Sequence, residues 1–258
     1  MFQALYIDLS WQDSDKNTLL PIFLALLSFE IYWFTAKSKK VKALFYKNNN
    51  FDQASANHIT SLRIFGFVTM GLATGILSLI FIPNYSLADY GLTYKPETAL
   101  FSFLWAVMLI AIIIPLAYFN ARKPRNLVNY PEIRARTWTR KTAFMNALGW
   151  AMYLFAYEFL FRGVLLFPLA KYLGVWTAIA INIALYSANH IAKGIEETLG
   201  AIMLGFVLCL LTLASGTIWT AYFVHVSLAW TYSFTALKYH PDMQYVRSST
   251  FKTIVANE

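Results

Sequence analysis

Charged residues are scarce in this sequence of 258 residues, since Asp, Glu, Lys and Arg together make up 13% of it. Soluble domains carry about twice that fraction, roughly 25%. Hydrophobic residues account for 58%, and most of them stand in long runs. This composition excludes an ordinary soluble domain. It predicts a polytopic membrane protein with no room outside the runs for a separate soluble domain.

Cysteine is also nearly absent. The single cysteine, Cys209, excludes an internal disulfide, and its position in the middle of a hydrophobic run favours a small apolar filler. The first residues, MFQALYIDLSWQDSD, lack the basic start of a signal peptide, so we expect no cleaved leader. No internal repeat is visible, which counts against a carrier built from inverted repeats.

Seven hydrophobic runs are candidate membrane spans, at residues 19–36, 64–83, 99–119, 142–170, 173–192, 198–214 and 217–237. A helix needs about 20 apolar residues to cross a bilayer core of ~30 Å. The fourth run is too long, and Gly163 and Pro168 indicate a tilt or a break there. The sequence therefore predicts an all-α transmembrane bundle of seven spans, or eight if the fourth run divides, in one integral-membrane domain over residues 1–258.

The basic residues are distributed unevenly along the chain. If the N-terminus lies outside, most of the 21 Lys and Arg fall in inner loops, chiefly at 37–47 with Arg63, at 122–141 and at 238–252. This asymmetry follows the positive-inside rule and predicts an outer N-terminus and a cytoplasmic C-terminus. It also assigns the net charge of +8 to contact with anionic lipids on the cytoplasmic face, and not to nucleic acid. Within the polar connection at 120–141 we expect a basic interfacial helix that carries Trp138.

Four ionisable side chains lie inside the hydrophobic runs: Glu158, Arg162, His190 and His225. A charge in the bilayer costs on the order of 2.5–3.5 kcal/mol on insertion scales, so such groups face a protein interior and mark a functional site. Glu158 and Arg162 are four residues apart and share one helix face. A carboxylate with two imidazoles can activate water, transfer protons or bind a metal. Taken singly, each group could equally be an ion pair or a hydrogen bond that only fixes helix packing.

These residues stand in three short segments, which read YEFLFR at 157–162, YSANH at 186–190 and HVSLA at 225–229. In order and spacing the segments resemble the EExxxR, FxxxH and HxxxN or HxxxD motifs of the CPBP family, which includes CAAX prenyl endopeptidases and bacteriocin-processing or bacteriocin-immunity proteins. The resemblance covers roughly residues 140–240. It implies a four-helix core over 142–238, intramembrane endopeptidase activity and a prokaryotic cytoplasmic membrane.

Two positions depart from the family's motifs. Tyr157 stands where the family has its first Glu, and Ala229 stands where it has Asn or Asp. A phenol with a pKa near 10 is a poor general base at neutral pH. Alanine provides no donor for a developing oxyanion, and loss of one such donor typically costs ~10²–10³ in rate.

The resemblance implies roles for the remaining residues if the site is active. Glu158 would be the general base, His190 would share or orient the attacking water, and His225 would stabilise the oxyanion. Arg162 would keep Glu158 ionised. The set Glu158, His190 and His225 is also a His₂Glu ligand set, so a divalent metal such as zinc is an open alternative. The implied substrate is a hydrophobic or lipid-modified peptide, and no residue selects among such peptides.

Two further functions remain open. One is a catalytically impaired pseudoprotease that acts as a membrane scaffold or bacteriocin-immunity-like protein, which Tyr157 and Ala229 favour. The other is a proton-coupled carrier that uses Glu158 and the histidines as a relay. Other polar residues are expected to be solvated, namely His58, His240, Glu196 and Glu197. Gly71 and Gly75 form a GxxxG spacing that predicts close helix packing.

Overall fold

The computed structural model describes residues 9–246, so Arg247 and Lys252, two of the cations assigned above to the inner face, lie outside the described residues. The described fold is 78% helical with almost no sheet. The all-α prediction is therefore confirmed.

Nine α-helices follow one another along the described chain. They are α1 Asp13–Lys37, α2 Lys39–Tyr46, α3 Phe51–Phe81, α4 Pro96–Ala121, α5 Pro124–Leu127, α6 Arg140–Leu173, α7 Val175–Ala188, α8 Ile195–Ser215 and α9 Trp219–Tyr239. A 3₁₀ turn, Ile191–Lys193, follows α7. Strands β1 Thr137–Trp138 and β2 Gln244–Tyr245 pair in parallel, with Thr137 opposite Gln244.

The long fourth hydrophobic run forms one helix, α6. It continues without a break from Arg140 to Leu173, and Thr139 caps its start by accepting a hydrogen bond from the backbone N–H of Thr142. Instead of a break at Gly163, the segment Phe159–Leu166 widens into a π-helix. Gly174 alone joins α6 to α7 with φ of +84°, a left-handed conformation that favours glycine.

Contacts between connections define one end of the bundle. The backbone N–H of Ile218, before α9, donates to the carbonyl of Gly91, before α4, at 3.2 Å. The amide of Asn17, in the first turns of α1, donates to the hydroxyl of Tyr172 at the end of α6, at 2.9 Å. The starts of α1, α4 and α9 therefore lie at the same end as the end of α6.

The opposite end is held together by different connections. Asp52, at the start of α3, accepts hydrogen bonds from the backbone N–H groups of Arg136 and Thr137 at 2.7 and 2.9 Å. Arg125 pairs with Glu196, at the start of α8, at 2.5 Å. Since α8 starts here and α6 ends at the other end, α7 carries the chain from one end of the bundle to the other.

Five of the helices are long and apolar enough to span a membrane: α1 from Ser14 onward, α3, α4, α6 and α8. Helix α7, with 14 residues, is about 21 Å long at 1.5 Å per residue, shorter than a bilayer core. Helix α9 contains His225 and several hydroxyl residues, which lower its hydropathy. Both are helices where spans were predicted, whereas the number of crossings and the orientation of the termini stay predictions.

Two expectations about the polar connections are wrong. Trp138 is fully buried in β1, and no interfacial helix carries it, because it packs with Ile133 and Leu237 at the end of the bundle. His58 lies within α3 and is buried, with the Phe45 ring 5.3 Å away.

The GxxxG prediction of close helix packing is confirmed. A Cβ added to Gly71 would lie 3.0 Å from Cβ of Ala156, and one added to Gly75 would lie 3.1 Å from Phe159. Helix α3 thus packs directly against α6. Residues on both sides of the π-helical segment of α6 are buried, which makes α6 the central helix of the fold.

Candidate active site

Helix α6 contributes Glu158 and Arg162, and both side chains are 0% exposed. The Nδ1–H of His225, from α9, donates to Oε1 of Glu158 at 2.6 Å. Nε of Arg162 lies 3.5 Å from Oε2 of Glu158. The structure therefore brings three of the four predicted residues into one directly contacting group, in which Glu158 is the centre.

Arg162 is held by an aromatic ring as well as by Glu158. Its guanidinium carbon lies 4.3 Å from the ring centre of Tyr186, from α7, a distance typical of a cation–π contact. Its nitrogens form no hydrogen bond among the described residues. Arg162 therefore depends on Glu158 and Tyr186 to compensate its buried charge.

His190 joins the group through Tyr186, without touching Glu158. Nδ1 of His190 lies 3.0 Å from the backbone carbonyl of Tyr186. A carbonyl only accepts, so this nitrogen carries the proton and Nε2 is left as the basic nitrogen. The rings of His190 and Tyr186 also pack together, with centroids 5.0 Å apart.

Both imidazoles line one cavity of about 730 Å³, open on one side, together with Tyr157 and Tyr186. Neither Nε2 atom has a protein partner among the described residues, and neither is fully enclosed, so both nitrogens reach the cavity. Glu158 and Arg162 are not on the cavity wall. Glu158 lies behind His225, which differs from its predicted position as a base in contact with water.

The two departures from the family's motifs also lie in this cavity. The ring of Tyr157 is 5.8 Å from that of His225 and 5.6 Å from that of Tyr186, and its hydroxyl accepts a long hydrogen bond of 3.5 Å from Asn189. Ala229 lines the cavity one helical turn after His225 and contributes no polar group. Aromatic contacts therefore fill the place of the missing first carboxylate.

The residues proposed as metal ligands do not fit a metal. Within residues 9–246, no three His, Cys, Asp or Glu side chains are grouped to hold an ion. Oε1 of Glu158 accepts the proton of His225, and Nδ1 of His190 is used by a carbonyl. The other oxygen of Glu158 is enclosed beside Arg162. The expected zinc set of Glu158, His190 and His225 is therefore not formed.

A second polar group lines the same cavity and was missed. Lys193 donates to the hydroxyl of Tyr130 at 3.1 Å and lies 3.9 Å from Glu197. Burial opposes the charge on Lys193, but Tyr130, Glu132 and Glu197 raise its pKa above the usual range. Glu197 is therefore not a solvated turn residue, because it is partly buried and pairs with the partly buried Lys193. The i,i+4 spacing of Lys193 and Glu197 was the available signal.

Arg63 also lines this cavity, although its position suggested a loop. It is buried in α3 and pairs with Glu132 at 3.0 Å. It also donates to the side-chain oxygen of Asn146 at 3.0 Å and lies 4.1 Å from the ring centre of Trp150. The cavity is thus lined by the two histidines and also by paired charges.

Fold and site together define a class: helical membrane proteins with a buried acid, base and cation beneath a cavity. Residues 139–231 match the family model described as "Rce1-like: Type II CAAX prenyl endopeptidase Rce1-like". The matched segment includes Glu158, Arg162, His190 and His225, and it agrees with the resemblance of the three motifs to the CPBP family. Neither the curated proteins nor the solved structures include one that matches the chain.

Proposed function

We propose that this protein is a CAAX-protease-like intramembrane peptidase that hydrolyses a peptide bond in a hydrophobic or membrane-associated peptide. The observation that carries the proposal is the hydrogen bond of 2.6 Å between Glu158 and His225, buried beneath a cavity that a second histidine also lines. The family match over residues 139–231 supports the same reaction class.

His225 is the general base in this proposal. Its Nδ1–H is donated to Glu158, so its Nε2 is unprotonated and open to the cavity, where it takes a proton from water. The resulting imidazolium then donates that proton to the leaving amine. Glu158 orients the ring and stabilises its positive charge, as the acid of a catalytic triad does. The base role therefore moves from Glu158, which does not reach the cavity, to His225.

His190 orients the attacking water. With Nδ1–H directed at the Tyr186 carbonyl, Nε2 of His190 accepts a hydrogen bond from a water that His225 deprotonates. Arg162 keeps Glu158 ionised, since a nearby cation favours the carboxylate. No side chain at Ala229 donates to the oxyanion, so turnover is expected to be slow relative to a site with such a donor.

Purified protein and a fluorogenic hydrophobic peptide test this proposal. Glu158→Gln and His225→Asn should each lower kcat/KM by ~10²–10⁴, the usual contribution of a general base. Glu30→Gln is the matched control, because Glu30 is an exposed carboxylate in the apolar helix α1, and it should leave turnover unchanged. Unchanged cleavage by both site variants would refute the mechanism.

The second candidate is a pseudoprotease on the same fold, favoured by Tyr157 and Ala229. Its cavity would bind a peptide without cleaving it. The double variant Tyr157→Glu, Ala229→Asn separates the two functions. Activity that arises only in the double variant would support the pseudoprotease, whereas cleavage by the wild type that depends on His225 would support the peptidase.

A further inference from the structure

A cationic and aromatic cluster lies where α4 and α9 end, away from the histidine cavity. Arg122 directly follows α4, and its guanidinium carbon is 5.0 Å from the ring centre of Tyr118, 4.9 Å from that of Phe119 and 5.4 Å from that of Tyr239. The hydroxyls of Tyr118 and Tyr239 are hydrogen-bonded at 2.7 Å. We call these four residues the Arg122 cluster.

The cluster carries positive charge that no carboxylate among the described residues neutralises. Lys123 directly follows Arg122 in sequence, and Lys238 lies in the last turn of α9. None of these three cations forms an ion pair within residues 9–246. By contrast, nearby Arg125 and Lys193 have carboxylate partners. The missing counter-charge makes this part of the surface suited to an anion.

There is also room for an anion. A shallow, open depression of about 350 Å³ on the surface, separate from the histidine cavity, is bordered by Phe119, Arg122, Lys123 and Tyr239. A guanidinium presents a planar set of donors that matches phosphate, and an ammonium adds a point charge beside it. Arginine, lysine and a phenol hydroxyl thus surround a space in which phosphate oxygens can accept hydrogen bonds.

The neighbouring surface favours a lipid over a free ion. Along α4, Leu104, Met108, Ile112 and Phe119 are exposed apolar residues, and their spacing puts them on one side of the helix that ends at the cluster. Acyl chains can pack along this side while the headgroup lies at Arg122. Basic pockets between membrane helices commonly bind anionic headgroups.

From this geometry we propose that the Arg122 cluster binds the phosphate of an anionic phospholipid whose acyl chains lie along α4. The site is independent of the proposed peptidase reaction, since none of its residues lies at the histidines. The charge distribution predicted contact with anionic lipids on the cytoplasmic face, and the Arg122 cluster is the proposed place of one such contact.

Native mass spectrometry of the full-length, delipidated protein tests the site. Phosphatidylglycerol is titrated into the wild type, Arg122→Gln and Arg125→Gln. The last variant is the matched control, since it removes the same charge from an exposed arginine three residues away. Arg122→Gln should weaken phosphatidylglycerol binding about fivefold or more, Arg125→Gln should change it less than about twofold, and phosphatidylcholine binding should be equal in all three.

The remaining outcomes are decisive as well. Equal weakening by Arg122→Gln and Arg125→Gln would overturn the proposal, because it would reflect general surface charge. Displacement of phosphatidylglycerol by excess inorganic phosphate would overturn the lipid assignment and leave a free-phosphate site, whereas no displacement supports the lipid. If Arg122→Gln fails to fold, the double variant Tyr118→Phe, Tyr239→Phe keeps the rings, removes both hydroxyls, and should still weaken phosphatidylglycerol binding. Unchanged binding by this double variant would overturn the proposal.

Discussion

Glu158 affects both the stability of the protein and the chemistry of the proposed site. Its carboxylate is fully enclosed, and in the described part of the chain it pairs with Arg162 and His225. Removal of one partner from a buried ion pair leaves the other charge uncompensated, which typically costs about 3–5 kcal/mol. The stability of the core and the chemistry of the site therefore depend on the same contact.

Arg162→Gln should accordingly destabilise the protein by about 3–5 kcal/mol, measured by thermal unfolding in detergent. Arg125→Gln is the control, because the Arg125–Glu196 pair is more than half exposed and should contribute about 0–1 kcal/mol. The double variant Glu158→Gln, Arg162→Gln should lose less than the sum of the single variants, since neither charge is then left alone. Equal losses for Arg162→Gln and Arg125→Gln would contradict this account.

For single residues, the sequence identifies the members of the candidate site better than it identifies the role of each member. Glu158, Arg162, His190 and His225 are recognisable because an ionisable group in an apolar run requires a reason. Which of them faces the cavity depends on helix rotation and on the partner of each oxygen or nitrogen, and no sequence pattern records either. Arg63 was assigned to a loop because charge near the end of an apolar run usually indicates one, whereas in the fold Glu132 and Asn146 allow it to be buried.

Among the elements, α6 depends on a side chain from another helix. Asn182, fully buried in α7, donates from Nδ2 to the carbonyl of Phe161 at 2.6 Å, inside the π-helical segment that follows Glu158. Cys209, from α8, donates to Oδ1 of Asn182 at 3.3 Å. Short π-helical segments occur often at functional sites. In this segment the Asn182 amide from α7 satisfies the carbonyl of Phe161.

Asn182→Leu should therefore cost about 1–3 kcal/mol, the penalty for a buried carbonyl without a donor, and it should lower peptidase activity by displacing Arg162. Asn49→Leu is a matched control, because Asn49 also donates to a helix carbonyl, that of Phe45 at 2.9 Å, but in an exposed position where water can replace it. Thermal unfolding and peptide cleavage measure the two effects. A loss no larger than that of Asn49→Leu would show that the Asn182 bond does not stabilise α6.

The close approach of α3 to α6 gives a second prediction for the elements. Gly71→Leu should destabilise the protein by about 1–3 kcal/mol, the usual cost of overpacking, because its Cβ would meet Ala156 at 3.0 Å. Gly200→Leu is the control, since a Cβ there would have no neighbour within 4 Å. Thermal unfolding compares them. Equal stability of the two variants would show that the α3–α6 contact tolerates extra volume.

Helix locations were predictable because each hydrophobic run produced a helix, including α7 and α9. The π-helical segment of α6 was not, since one of its carbonyls is bonded by Asn182 from another helix. The short α5 and strand β1 were also missed, because the connection at 120–141 is ordered by contacts with distant residues. Asp52 and Val246 supply hydrogen bonds to its backbone, and neither is close in sequence.

For the whole molecule, the side of the membrane on which each connection between helices emerges can be measured. Helices α4, α6, α7 and α8 alternate between the two ends of the bundle, so their connections should emerge on opposite sides. Exposed residues mark these connections: Tyr94 precedes α4, Val128 follows it, Trp176 follows α6, and Ile195 begins α8. The positive-inside rule assigns Tyr94 and Trp176 to the outer side, and Val128 and Ile195 to the cytoplasmic side.

Single cysteine variants at these four positions should show this alternation directly. Cys209 is fully buried, so the wild type should stay unlabelled by a membrane-impermeant maleimide and serves as the background. Tyr94→Cys and Trp176→Cys should label in intact cells, whereas Val128→Cys and Ile195→Cys should label only after the membrane is permeabilised. Labelling of Trp176→Cys and Ile195→Cys from the same side would mean that α7 does not cross the membrane. The seven-span topology would then be wrong, and His190 would follow a helix that enters the bilayer without crossing it.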